Sequence, residues 1–201
     1  MDRTSVALDG VDVDGWIYLT GAAGSWSSAR DGTSGTNKND SDGFDENGVR
    51  VFYPASKTTT IHRSFFYFML NNIPAGASIV SCSLEITCNS TGDSDLCIQQ
   101  GTQSNTLVLG DYDAFTGPVF DTLIATTDFG RETFTFNSFG RNYIESVFGS
   151  STACKLCLRN YQYDFLNVAP IPGYSTFKAG IDYVDHVTVA WRPILNVTYE
   201  V

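Results

Sequence analysis

The 201-residue sequence predicts an all-β chain: a jelly-roll-like antiparallel β-sandwich with one short helix, forming a single domain over 1–201. Three observations lead to this fold. Aromatic residues make up 13% of the chain, and such side chains favour the half-buried, pleated surface of a strand. Apolar stretches alternate with period two between clusters of Gly, Asn, Asp, Ser and Pro, the composition of turns. Helical spacing occurs once, so a parallel sheet with repeated crossover helices is disfavoured. A chain of this length buries about 70% of its unfolded surface, so its core needs no disulfide or metal staple.

Asp14–Thr20 reads as a first short strand. Residues 21–48 are rich in Gly, Ser, Asp and Asn, carry no hydrophobic period, and are expected to form a long loop. Val49–Tyr53 is a strand closed by Pro54. Ile61–Leu70 is the strongest strand: Phe66, Phe68 and Leu70 share one face, and Phe65, Tyr67 and Met69 the other. With both faces apolar it belongs in the interior, its second side covered by the early loop or by a neighbouring subunit. Ala77–Cys88 alternates well and Leu96–Gln99 returns from it. A short strand is expected at Thr106–Leu109, and an aromatic loop at Asp111–Pro118. Val119–Ala125 and Glu132–Asn137 are further strands. In Ser138–Phe148, Phe139, Tyr143, Ile144, Val147 and Phe148 recur at helical spacing before Gly149, which predicts the one helix. Ala153–Arg159 is a strand and 160–180 an aromatic loop. Val184–Trp191 and Ile194–Val201 are expected as the last strands.

The formal net charge is −10, which disfavours nucleic-acid partners because phosphate contacts require Lys and Arg. No apolar run approaches the roughly 20 residues of a membrane-spanning helix, so no membrane insertion is expected. Met1-Asp2-Arg3-Thr4 does not open a secretory signal. The chain is expected either to have lost one or to leave a cytosol by another route, such as assembly into a virus particle. Cys82, Cys88, Cys97, Cys154 and Cys157 are odd in number, which argues against a complete disulfide framework. Cys154 and Cys157 form a CxxC, but residues three apart on a strand point to opposite faces, and no second ligand pair stands nearby. Small buried thiols in a reducing compartment are expected.

Catalytic chemistry finds little support. His62 and His186 are the only histidines and both lie in strand-like runs. No GxSxG turn is present. Asp111, Asp113, Asp121, Asp164, Asp182 and Asp185 could pair as in a glycosidase, but loop carboxylates are too common to signal it. The chain is therefore expected not to be an enzyme and to require no cofactor. Calcium is the one candidate ion, at Asp40, Asp42, Asp45 and Asn47, which concentrate oxygen ligands without completing an EF-hand loop. The same residues also make an ordinary solvated turn. Trp26, Tyr112, Phe115, Tyr161, Tyr163 and Tyr174 lie in loops and are the candidate binding residues. They could fold inward, bury against partner subunits, or stack on sugar faces.

Arg63-Ser64-Phe65-Phe66-Tyr67-Phe68, followed by Asn72-Ile73-Pro74-Ala75-Gly76-Ala77-Ser78-Ile79, resembles the opening of the DNRLRE-type (disaggregatase-related) β-sandwich modules. Asp111-Tyr112-Asp113-Ala114-Phe115 with Val119-Phe120, and Leu156–Asp164 leading to Arg192-Pro193-Ile194-Leu195-Asn196-Val197-Thr198-Tyr199, extend the likeness over roughly 49–201. Met69 stands where those modules usually carry Asp. The resemblance implies a sandwich of the kind found in tailed-phage virion proteins and carbohydrate-active proteins. The expectation is a virion-located structural protein: a capsid decoration, head fibre or tail-associated chain. Its expected partners are other virion proteins or copies of itself. The alternative is a carbohydrate-binding module for a host surface glycan.

Overall fold

The computed structural model describes the chain except residues 1, 2, 12, 23, 24, 42, 55–57, 91–93, 126–128, 149–152, 172 and 174, and the side chains of 89, 90, 175 and 176. Its strands are β1 (Arg3–Asp9), β2 (Gly15–Thr20), β3 (Asn37–Asn39), β4 (Phe44–Tyr53), β5 (Thr60–Phe68) and β6 (Ser78–Ser90). They continue with β7 (Ser94–Gly101), β8 (Phe115–Ala125), β9 (Gly130–Thr135), β10 (Cys154–Asn160), β11 (Ser175–Asp182) and β12 (Ile194–Glu200). Helix α1 spans Trp26–Arg30 and α2 spans Ser138–Val147. All pairings are antiparallel.

Two layers arise because β5 changes partner along its length. Its first residues pair with β4, through Thr60–His62, and the rest of that edge pairs with β10, through Ser64–Phe68. The opposite edge pairs with β2. One layer is therefore β3-β2-β5-β10-β7-β8. The other contains β9-β6-β12-β1, with β11 and β4 continuing from β6 toward β5. A strand that crosses between layers is how a sandwich corner is made. Ser64 sits where β4 and β10 part: its hydroxyl donates to Gly48 O and pairs with Tyr183 Oη, both at 2.7 Å. Every strand except β3 sends side chains into the core between the layers. On β6 these are Cys82, Leu84, Ile86 and Cys88, and on β5 they are Phe66 and Phe68.

The second face of β5 is also buried, under cover from the chain itself. Ile17, Phe65, Leu107, Tyr112 and Cys157 form one cluster there, and Ala29, Val51 and Ile61 another. The cover comes from α1, from residues 102–114 and from a wide helical turn at Tyr161–Phe165.

The expected helix at Ser138–Phe148 is α2, whose Ile144 enters the core. Asn137 caps it, accepting from Phe139 N at 2.9 Å and Gly140 N at 3.3 Å while its Nδ2 donates to Val119 O of the edge strand β8. Asn137→Ala removes both functions, and a loss of about 1–2 kcal/mol in urea unfolding is expected. An unchanged unfolding midpoint would show that the cap contributes nothing.

Several segments differ from the sequence reading. β1 precedes the expected first strand and pairs with β12, and β8 begins at Phe115, inside the expected loop Asp111–Pro118, where it pairs with the end of β7. Within 21–48, expected as loop, lie the short helix α1, the strand β3 and the start of β4; Ser25 caps α1, and pairing with β2 and β11 supplies the order that a hydrophobic period does not signal. Val184–Trp191 is not a strand but a run of turns ending in a single 3-10 turn at Val189–Trp191. Among the described residues no strand pairs with its alternating valines. Conversely, the strand Ser175–Asp182 begins inside the expected loop 160–180: Ala179 and Ile181 alternate inward, but Lys178 and Gly180 break the apolar signal. Thr106–Leu109 is irregular, organised by Asp111, whose carboxylate accepts from Ser104 N, Ser104 Oγ and Val108 N.

Candidate functional site

Alternation along β5 and β10 puts Arg63 and Arg159 on the covered outer face, beside Phe65 and Cys157 rather than in the main core. Both arginines are buried, and Arg63 is completely so. Asp164, in the turn after β10, lies buried between them. Its Oδ2 accepts from Arg63 Nε at 2.8 Å and Arg159 Nε at 3.0 Å. Its Oδ1 accepts from Arg63 Nη2 and Arg159 Nη2, each at 2.7 Å. One carboxylate thus receives two forked, charge-assisted pairs. Burial alone would raise the Asp164 carboxyl, but Arg159 and Arg63 outweigh it and hold it well below the usual carboxylate range. Burial likewise opposes the Arg63 charge, and the neighbouring Asp164 more than restores it.

The remaining donors of the arginines tie the cover down. Arg63 Nη1 donates to Tyr112 O at 2.8 Å and Nη2 to Arg30 O at 2.7 Å. One guanidinium therefore joins the end of α1, the 102–114 segment and the 161–165 turn. Arg159 Nη1 donates to Gln99 Oε1, and Gln99 Nε2 donates to Gly117 O. Gly117 has φ 74°, a conformation that glycine adopts without strain, and lies where β8 falls out of register with β7. Phe115 lies over both guanidinium groups, 3.8 Å from Arg159 Cζ and 4.8 Å from Arg63 Cζ. The Tyr112 ring is 4.0 Å from Arg63 Cζ, and its hydroxyl donates to Ala29 O.

Above this cluster opens a cleft of about 390 Å³, lined by Arg30, Asp31, Asp113, Phe115, Arg159 and Phe165. Arg30 is paired with Asp31, and the nitrogens of Arg159 are engaged by Asp164 and Gln99. The Asp113 carboxylate makes no hydrogen bond with a described residue.

Of the candidate aromatics, the structure brings Tyr112 and Phe115 into this cluster, and only Phe115 reaches the cleft. Tyr161 stacks on Phe165 beside it, centroids 5.6 Å apart. Trp26 and Tyr163 pack on the Val51–Ile61 cluster, Tyr163 against Phe177 at 4.4 Å and Trp26 under the Arg30 guanidinium at 5.2 Å. Tyr174 lies outside the described residues. In the calcium candidate, Asp42 also lies outside them; Asp40 pairs with Lys38, Asp45 accepts from Asn47 N, and Asn47 Oδ1 accepts from Arg50. Among the described residues no three His, Cys, Asp or Glu side chains gather as a metal site requires. None of their helices is long and apolar enough to cross a membrane.

His62 is packed against Tyr18 at 4.8 Å and Trp16 at 5.7 Å, and burial, reinforced by Arg50, pushes it down to about 3. His186 Nε2 lies 3.9 Å from Asp182 Oδ1, and its Nδ1 accepts from Thr188 N. Burial pushes Asp182 up to about 6, with His186 opposing the rise. The five cysteines are free and buried; Cys154 faces the main core and Cys157 the covered outer face. Burial pushes Cys82, Cys88 and Cys157 up to about 12 and raises Cys97 and Cys154 as well, which leaves these thiols poorly nucleophilic.

No protein-family model matches the sequence, and no curated protein matches it. Among solved structures, the chain aligns with the crystal structure of the infectious bursal disease virus VP2 subviral particle. The alignment has 10% identity and a TM-score of 0.22, and covers 98% of this chain and 60% of that one. The chain therefore spans about three fifths of that protein's length, and a likeness this slight carries no argument.

Proposed function

We propose that the chain is a non-enzymatic structural subunit of a virus particle, acting by association with further copies of itself and by docking on neighbouring virion proteins. The observation that carries this reading is an exposed apolar surface built on a braced loop. Val187 is 91% exposed and Val189 63%, with Phe129 and Trp191 beside them. Phe129 and Trp191 meet edge to face at 4.8 Å, and the His186 ring lies 4.8 Å from Trp191. Arg131 Nη1 donates to Ala190 O at 2.6 Å and Arg192 Nε to His186 O at 2.9 Å. Large apolar side chains held outward in one place favour burial against a partner.

A second copy is the occupant that fits. The rim carries both signs of charge, in Arg131, which is paired with Glu85, and in Arg192, whose Nε donates to His186 O. A two-fold contact sets one surface against itself, so a rim of both signs can complement its own copy. Light scattering on a sizing column is expected to find an oligomer for the natural sequence and a monomer for the double variant Val187→Ser/Val189→Ser. Both valines are exposed, so the fold should survive. Mass spectrometry of purified particles should recover the chain. A monomer at every soluble concentration, or absence from particles, would sink the reading.

A further inference from the structure

We infer that the chain binds a neutral oligosaccharide across two clefts that flank the Tyr161–Phe165 stack. The first cleft is the one beside Arg159, floored by Phe115 and Phe165. The second, about 280 Å³, is lined by Asp95, Thr122, Leu123, Ile124 and Tyr161. Tyr161 lines one cleft and Phe165 the other, and the two rings stack with 14° between their planes. The pair forms a ridge with a depression on each side, a shape suited to an extended ligand rather than a compact one.

The chemistry of the lining selects among extended ligands. Asp113 in the first cleft and Asp95 in the second make no hydrogen bond with a described residue, so one acceptor stands free on each side of the ridge. The cations carry counter-charges: Arg30 is paired with Asp31 and Arg159 with Asp164, and Arg159 also donates to Gln99. Two free carboxylates beside paired cations disfavour phosphates and acidic sugars. A neutral sugar chain offers what the lining can use: hydroxyl donors for the carboxylates and C–H faces for the rings. The site also needs little reordering. Phe115 is held over two guanidinium groups, Phe165 against Tyr161, and the 161–165 turn by Asp164. Such preorganisation lowers the entropic cost of binding.

A basic peptide is the competing extended ligand, since carboxylates and rings also attract cations. The test titrates maltohexaose, cellohexaose, chitohexaose and mannohexaose into the folded chain by calorimetry, with hexalysine and polygalacturonate as comparisons. At least one neutral hexasaccharide should saturate. Asp113→Ala and Tyr161→Ala should each weaken it roughly tenfold, with melting temperature preserved in Asp113→Ala, whose side chain is exposed. Phe139→Ala, on α2 and outside both clefts, should bind as the natural sequence does. The inference fails if no neutral hexasaccharide saturates, if hexalysine or polygalacturonate binds in their place, or if Asp113→Ala and Tyr161→Ala leave the affinity unchanged.

Discussion

Asp164→Ala is expected to destabilise the chain by about 3–5 kcal/mol, because it leaves two guanidinium groups buried with no counter-charge. Asp164 accepts from both arginines through both oxygens. The expected loss is chiefly the cost of stranding Arg63 and Arg159, and much less the net worth of the ion pairs themselves. Asp164→Asn keeps an acceptor but no charge, so it should fall between the natural sequence and alanine. Replacing all three groups together with Met, Met and Leu should recover part of the stability: it strands no charge, but it leaves Tyr112 O, Arg30 O and Gln99 Oε1 without the donors that the arginines supplied. Urea unfolding of the four proteins checks the order. A loss under ~1 kcal/mol for Asp164→Ala would mean that water reaches the arginines and that the cluster does not hold the cover. The effect should also resist acid. A carboxyl whose folded value lies below its unfolded value contributes in full at pH above the unfolded value, and that contribution declines progressively and is completely lost only once pH has fallen through the folded one. For Asp164 that lies well below the ordinary carboxylate range.

How far this arrangement could be read beforehand depends on the residue. The apolar second face of β5 announces a covered strand, and early residues of the chain do supply part of that cover. Alternation in β6 and β12 and the helical spacing of α2 are local signals, and the structure has each of those elements where the pattern places it. The arginine cluster is not local: Arg63 and Asp164 are 101 residues apart. Its trace in the sequence is a single cation inside each of two apolar strands, Arg63 before Phe65 and Arg159 after Cys157. A buried cation requires a partner, but the sequence does not say which of many acidic residues provides it. Loop aromatics are ambiguous for the same reason. Tyr112 and Phe115 are three residues apart, yet one is sealed over Arg63 and the other opens on a cleft. The valines of 184–191 mislead in the opposite direction, since alternation implies a strand only where a second strand is present to pair with it.

His62→Phe is expected to remove one loss of stability, on the order of 3 kcal/mol, that the natural sequence suffers between pH 7 and pH 4. His62 lies within β5 and presents its ring to Tyr18 and Trp16 across the β2 pairing, where burial, then Arg50, hold it down to about 3. In the unfolded chain it titrates near its ordinary 6.5. As pH falls below that value the unfolded state takes up a proton that the folded state refuses, so stability declines from about pH 6.5 toward 3. Over pH 7 to 4 the decline is on the order of 3 kcal/mol. Asp182 acts with the opposite sign. Its carboxyl is raised to about 6, so its contribution is present below the unfolded carboxyl value and is lost as pH rises through 6. The net profile of the natural sequence therefore mixes the two groups, and the difference between the natural sequence and His62→Phe isolates the histidine. Phenylalanine keeps the aromatic contacts, and Nδ1 has no hydrogen-bond partner among the described residues to lose. Urea unfolding in steps of pH should show the two proteins diverging below pH 6.5, with His62→Phe the more stable at pH 4. Parallel profiles would mean that the folded chain accepts the proton at His62, and that the ring is wetter than its packing against Trp16 and Tyr18 implies.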